Sequence, residues 1–289
     1  MRKFLSAQRT IELICHSGYC FPIGKQLTKI FYFSGTGNTL WSAKTIAAQI
    51  DGECELITIG IEAQKETITV EADAVVLLFP AYAYGPPLIV SSFVKKAVFK
   101  TPYIAVFTTF GTSPGGCLAD VCRKLKSKNI PAVYFGRIPS VENYSAIFGE
   151  QKEATIQKRL TMQKDATADA AMSVMRRRTN RINTFRPFSA FVWLLFSLGV
   201  KFFYKWYRVT ADCNGCGICK KLCPVSAITM CNGRPVFSCK CEHCQGCLHW
   251  CPRRAILFAR VGSNTRRYHH PEIGMEELYT DGSSADDGS

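Results

Sequence analysis

No apolar run in this sequence reaches the length of a simple bilayer span. The longest, FSAFVWLLFSLGV from Phe188 to Val200, stops after thirteen residues, and a spanning helix needs about 20. A helix buried against a neighbouring domain is expected there. An in-plane membrane helix is the other reading, because Lys201, Lys205 and Arg208 follow among Phe202, Phe203, Tyr204, Trp206 and Tyr207. The N-terminus, MRKFLSAQRTIELICHSGYCF, lacks the apolar core and the small-residue cleavage site of a signal peptide. A cytoplasmic, reducing location is therefore expected. The chain has no Gly-Lys-Ser/Thr phosphate loop and no dinucleotide fingerprint. No grouping of His, Asp, Glu and Cys reads as a general acid–base site, so no catalytic residue is assigned. Between Val98 and Leu118 there is no Asp or Glu.

Cysteine, in contrast, is abundant: 15 in 289 residues. A disulfide scaffold belongs to short secreted chains, which leaves thiolate ligands as the reading. CNGCGICKKLCPVSAI starts at Cys213, and CEHCQGCLHWCPRRAI repeats its four cysteines, its proline and its closing Ala-Ile 28 residues later. Cys-x2-Cys pairs alone would also suit zinc. A third cysteine at the same spacing, a fourth just before Pro224 or Pro252, and the duplication point instead to iron–sulfur clusters. Gly215, Gly217 and Gly246 allow the loop to bend, and each proline suits a first helical turn. Cys231 and Cys239 fall off the pattern and read as buried or idle thiols. CNGRPVFS between the halves reads as a hairpin turn.

Over residues 208–262 this pattern resembles bacterial two-cluster ferredoxins, in which the fourth cysteine of each run ligates the other cluster. The resemblance implies one [4Fe–4S] cluster on Cys213, Cys216, Cys219 and Cys251, and a second on Cys241, Cys244, Cys247 and Cys223.

Upstream, KIFYFS, CELITI, AVVLLF, YIAVFTT and AVYFGR are short runs rich in β-branched and aromatic residues. They alternate with the helical patterns TLWSAKTIAAQ, LIVSSFVKKAV and GCLADVCRKLKS. That alternation predicts an α/β fold, a doubly wound parallel five-stranded sheet, followed by a small α+β cysteine domain. SGTGNT, with Ser34, Gly35, Thr36, Gly37, Asn38 and Thr39, joins the first strand to the first helix. Small and hydroxyl-bearing residues there make a backbone nest for a phosphate. The stretch resembles the FMN-phosphate loop of flavodoxins, and the likeness extends over residues 28–145. It implies FMN at the strand ends, its ring between Ala81, Tyr82, Ala83 and Tyr84 of one loop and Phe110, Gly111, Gly115 and Gly116 of another, with PSVENY, Pro139 to Tyr144, as a third loop beside it. The carboxylate-free stretch around the second loop predicts a higher hydroquinone potential than in an acidic flavodoxin. Cys117 and Cys122 read as packing residues.

Taken together, residues 28–271, including RYHHPEI, resemble a family of flavodoxin–ferredoxin fusion proteins of anaerobic bacteria. The expected layout is an N-terminal extension over 1–27, a flavodoxin-like FMN domain over 28–183 and an aromatic and basic connector over 184–207. A two-cluster ferredoxin domain over 208–271 and a disordered acidic tail over 272–289 complete it. Residues 150–183 read as a long, largely exposed helix. His249 reads as a residue near a cluster, and His269 with His270 as a surface pair or an interdomain contact.

The implied function is electron transfer between FMN, two [4Fe–4S] clusters and a redox partner. A flavin-dependent reductase fed by the clusters is the alternative. The formal charge, 36 − 22 = +14, remains positive after two clusters and a phosphate subtract about 6. Lys220, Lys221, Arg234, Lys240, Arg253 and Arg254 surround the motifs. Such a surface steers toward an acidic ferredoxin or flavodoxin, or an anionic membrane. No nucleic-acid motif accompanies the charge.

Overall fold

The computed structural model describes residues 26–279, together with the backbone of an antiparallel pair, Leu13–His16 and Tyr19–Pro22, upstream. The rest of the expected N-terminal extension lies outside the described residues. Five parallel strands form the central sheet: β1 (Leu27–Tyr32), β2 (Glu53–Thr58), β3 (Ala74–Pro80), β4 (Tyr103–Phe110) and β5 (Ala132–Pro139), in the order β2-β1-β3-β4-β5. Each coincides with or overlaps one of the five runs read from the sequence. β3 and β4 are apolar nearly throughout because both faces are covered.

Alternate side chains separate to the two faces. Ile30, Val76, Leu78, Ala105 and Phe107 pack beneath α1 (Asn38–Gln49) and α4 (Glu153–Met175). Phe31, Val75, Leu77, Ile104 and Val106 pack beneath α2 (Leu88–Lys96) and α3 (Cys117–Lys126). Full burial of such side chains stabilises by about 1.5–3 kcal/mol each. α4 is long and more than half exposed, as its polar sequence implies, but one face of it is buried. It seats Gln163, Thr167, Ala170, Ala171, Ser173 and Val174 against the body. Gln163 donates to the Asn38 carbonyl at 2.8 Å, and the Ser42 and Thr167 hydroxyls lie 3.1 Å apart. A face of small and polar residues buries here because most of its polar groups find partners; Gln163 Oε1 is the exception, buried without one.

The cysteine-rich unit is joined to the sheet without a gap. Val225 and Ala227 belong to the same buried cluster as Phe31 and Leu77, and Cys223, Cys241 and Cys244 pack against it. The unit consists of β6 (Tyr207–Val209) paired with β9 (Ile256–Phe258), the hairpin β7 (Ile228–Cys231) with β8 (Arg234–Phe237), and two single turns, α6 (Ile218–Lys221) and α7 (Gly246–His249). The hairpin turns at Asn232 and Gly233, both left-handed (φ 48° and 72°), the pair a two-residue turn requires. Cys231 and Cys239 are exposed rather than buried.

The tail boundary and the burial of the connector differ from expectation. Residues 272–279 are ordered: Ile273 and Leu278 pack against Leu40 and Trp250, Glu277 pairs with Lys44, and Trp41 donates to Glu272 at 3.1 Å. The remainder of the tail lies outside the described residues. The connector is a helix, α5 (Pro187–Phe203), continued by a 3₁₀ turn at Tyr204–Trp206. Its inner face packs on the body, but its outer face is not buried against a neighbour. Only Val200 is fully buried, while Phe188 and Leu198 are 70% and 62% exposed. Counted to Trp206, this stretch is long and apolar enough to cross a membrane, alone in that among the described residues. Lys201 interrupts the apolar run but not the helix, so the thirteen-residue count understated its length.

Candidate functional site

The carboxyl ends of β1, β3, β4 and β5 bring four loops together, the topological position at which open α/β sheets bind ligands. The first is 33–39. Ser34, Thr36, Asn38 and Thr39 are all buried. The Thr39 and Thr109 hydroxyls lie 2.8 Å apart, and Asn38 donates to the Val141 carbonyl at 3.2 Å. Asn143 donates to the Thr36 hydroxyl. The Ser34 hydroxyl is buried with no partner. α1 starts at left-handed Gly37 (φ 93°), and no side chain caps its first amides. A phosphate here would satisfy both the hydroxyl and the amides. The residues fit that group.

The two ring loops are held less openly. Tyr82 and Gly85 exchange backbone hydrogen bonds of 2.8 and 3.0 Å. The turn between them holds Ala83 and Tyr84 left-handed, at φ 47° and 68°, a strained pair of the kind found at functional loops. Tyr82 turns inward against Phe33, its hydroxyl pKa pushed upward by burial and by neighbouring Cys244, Glu242 and Cys241. Tyr84 lies against Gly115, with Phe188 of α5 at 6.3 Å. Trp193 of α5 covers Gly85 and donates to the Pro86 carbonyl at 2.8 Å. Arg186 and Ser189 sit on Gly116. The cleft among these groups has a volume of about 230 Å³. The loop after β4 is not free of carboxylate, contrary to the local sequence. Glu142 reaches Gly111 and accepts from the Thr112 amide and hydroxyl at 3.3 and 3.2 Å. The higher potential expected from an acid-free loop therefore loses its premise.

The cysteine loops press directly on the loop 33–39. A Cβ on Gly35 would collide with the Cys244 carbonyl, and Trp250 donates to the Gly35 carbonyl at 3.2 Å. Tyr268 donates to Asn38 at 2.7 Å, and the His270 amide donates to the Thr36 carbonyl at 2.8 Å. His270 and His269 are thus contacts between the two halves, their rings stacked on Trp41 and Trp250. His249, buried, bonds the Asn143 carbonyl at 2.9 Å and accepts from the Tyr268 amide at 3.1 Å.

The eight motif cysteines fall into two neighbourhoods. Cys223, Cys241, Cys244 and Cys247 line one cavity of about 320 Å³. Burial raises all four thiol pKa values, that of Cys241 to about 12. Thiols so short of water become thiolates only against a compensating cation. In the other neighbourhood Cys219, raised to about 12 by burial, also feels Cys216, Cys251 and Cys213. Among the described residues no three His, Cys, Asp or Glu close on a point as one metal ion would require. Four thiols around one cavity are the donor set that an iron–sulfur core uses. The repeat extends to the sulfurs: Ala227 donates its amide to Cys223 Sγ at 3.1 Å, and Ala255 donates to Cys251 Sγ at 3.3 Å. His243, between Cys241 and Cys244, is enclosed by Tyr144, Phe203, Tyr207 and Phe258. Burial lowers its pKa to about 3.

Acid should loosen the junction. Burial lowers the His270 pKa to about 4, against about 6.5 in an unfolded chain. Between those values the unfolded chain takes up a proton that the folded one refuses. Stability therefore falls as pH drops from 6.5 toward 4, by on the order of 3 kcal/mol from this residue. Urea midpoints against pH should be flatter over that window for His270→Gln than for the wild type. Equal slopes would remove His270 as the cause.

Glu142 and Asn143 lie in PSVENY, the loop expected after the fifth strand, but nothing local in the sequence gave their partners, and Trp193, Trp250 and Tyr268 carry no local signal for these positions. Their places depend on partners about a hundred residues or more away or on a loop crossing.

Residues 29–129 match the flavodoxin domain family and residues 207–229 match the 4Fe-4S binding domain family. Solved structures similar to this chain include a flavodoxin from the domain Archaea, at 16% identity, covering 50% of this chain and 98% of that one with a TM-score of 0.29. The two-electron reduced flavodoxin of Megasphaera elsdenii is similar at 17% identity, covering 49% and 98%, TM-score 0.27. Rubredoxin oxygen:oxidoreductase from Desulfovibrio gigas is similar at 15% identity over 51% of this chain and 37% of its own, TM-score 0.30. No curated protein matches the chain. The chain thus carries an N-terminal flavodoxin-like domain and a C-terminal 4Fe–4S binding domain.

Proposed function

We propose that this chain moves electrons between FMN and two [4Fe–4S] clusters and passes them to a redox partner. The observation that carries the reading is the contact of the Cys244 backbone and Trp250 with Gly35, which leaves no room between phosphate loop and cysteine loop. When bound, FMN exchanges one or two electrons and each cluster one. Ser34, Thr36, Thr39 and the first amides of α1 hold the phosphate, while the turn at Ala83 and Tyr84 and the backbone at Phe110, Gly111, Gly115 and Gly116 border the ring. Tyr82 fills the space beside Cys241 and Cys244 and excludes water there. Cys223, Cys241, Cys244 and Cys247 hold the inner cluster; Cys213, Cys216, Cys219 and Cys251 hold the outer one.

The arrangement has a direction in space. The inner set abuts the flavin loops, whereas Cys216 of the outer set is exposed and lies near Lys220 in sequence, itself exposed. The partner therefore docks at the outer set, and an acidic surface suits it. The reductase alternative requires room for a substrate over the ring. At the ring loops that space is covered by Arg186, Ser189 and Trp193, which lie on Gly85 and Gly116.

Protein purified without oxygen should contain one FMN and about eight irons with matching sulfide. In stopped-flow mixing, reduced ferredoxin should bleach the flavin rapidly and NADH should not. Colourless protein without labile sulfide ends the proposal. Multiple turnovers of an added small molecule would shift it to the reductase.

A further inference from the structure

The outward face of α5 is the largest feature that the electron-transfer reading leaves unused. Phe188, Phe191, Leu194, Leu195, Leu198 and Phe202 are each more than half exposed. The spacing 188, 191, 195, 198, 202 keeps them on one stripe of a helix, and Trp206 extends it at 57% exposure. A contiguous apolar stripe of this size on a folded chain marks an interaction surface.

Charge identifies what covers it. Residues 182–211 contain no Asp or Glu, but four Lys and Arg. Arg186 precedes the helix, and Lys201 and Lys205 lie exposed beside Phe202. Lys205 Nζ sits 5.8 Å over the Phe202 ring, and Arg208 follows in β6. Apolar side chains bordered by Arg186, Lys201, Lys205 and Arg208, with Glu142 of the neighbouring loop engaged by Thr112, complement an anionic lipid surface.

The attachment of the helix excludes a span. Its inner face is fixed to the body along its whole length: Ser189 on Gly116, Trp193 on Gly85 and Pro86, Val200 buried, Phe203 at 5.3 Å from His243. The chain then enters β6, paired with β9. Crossing a bilayer would detach all of these contacts and put the two ends of one folded body on opposite sides. We infer that α5 lies flat in the surface of an anionic bilayer and docks the protein there, with the loops 81–87 and 111–116 next to the membrane. The inference is independent of which cofactors the chain holds.

The test is co-sedimentation of the full cofactor-loaded chain with vesicles of phosphatidylcholine and phosphatidylglycerol at 3:1, and with phosphatidylcholine alone. Binding is expected to the anionic vesicles, weaker to the neutral ones, and to weaken with salt. Lys201→Gln and Lys205→Gln should each lower the partition about five-fold. A Leu195→Gln, Leu198→Gln, Phe202→Gln variant should lower it at least about ten-fold. All of these positions are solvent-facing, and unchanged thermal midpoints and flavin content will show that the variants fold. No association with anionic vesicles, or equal association with neutral ones, overturns the proposal. So does a dimer, seen by analytical ultracentrifugation without lipid, that the triple variant abolishes: a second copy would then own the face.

Discussion

Cys216→Ala combined with Cys251→Ala should remove half of the iron, whereas Cys216→Ala combined with Cys223→Ala should remove nearly all of it. The difference follows from how the fourth cysteines cross between the repeats. Cys223 lies four residues after Cys219 in sequence, yet its thiol lines the cavity of Cys241, Cys244 and Cys247. Cys251 bears on Cys219 together with Cys213 and Cys216. The first pair of substitutions therefore damages one set twice, and the second damages each set once. Iron and labile sulfide measured on oxygen-free protein separate the cases. Half the iron surviving in the Cys216/Cys223 variant, with none in the Cys216/Cys251 variant, would show that each repeat keeps its own fourth ligand. Loss of a bound metal from a unit this small also removes folding free energy, so the variant stripped of both sets should show the lower thermal midpoint.

Gly35→Ala should uncouple the two halves. The backbone of Gly35 is not left-handed, so alanine suffers no conformational penalty there. What it meets is the carbonyl oxygen, carbon and Cβ of Cys244. Because the obstacle is backbone, it cannot rotate away, and the phosphate loop and cysteine loop must move apart. Overpacking of this kind costs about 1–3 kcal/mol, seen as a lower thermal midpoint. Separation should also weaken FMN retention and slow electron exchange between flavin and inner cluster in stopped-flow traces. Gly262→Ala, where a Cβ has open space around it, serves as the control and should stay within about 0.5 kcal/mol of the wild type. Unaltered midpoint and exchange rate in Gly35→Ala would mean that the loop contact has no part in the transfer.

How much of this was legible in advance differs from one element to another. The five strands could be read because strands buried on both faces are nearly uninterrupted runs of Val, Ile, Leu and Phe, as in β3 and β4. The phosphate loop could be read because its small and hydroxyl-bearing residues are contiguous. The buried face of α4 could not be read because it is made of Gln163, Thr167 and small residues, whose burial depends on partners in α1. The start of the tail was misjudged because Ile273 and Leu278 become core residues only against Leu40 and Trp250.

Cysteine spacing and strand periodicity were set by the chain alone, since both record constraints within a few residues: a loop wrapping a metal core, a segment shielded on two sides. The fold decided everything that depends on meeting across a hundred residues or more, or between loops. It placed Glu142 on a loop whose own sequence is free of acid, seated Cys244 against Gly35, and turned the stripe of α5 outward although composition alone argued for its burial. A side chain's hydrophobicity says that it will leave water, but only the packed surroundings determine whether it goes inward or toward another surface.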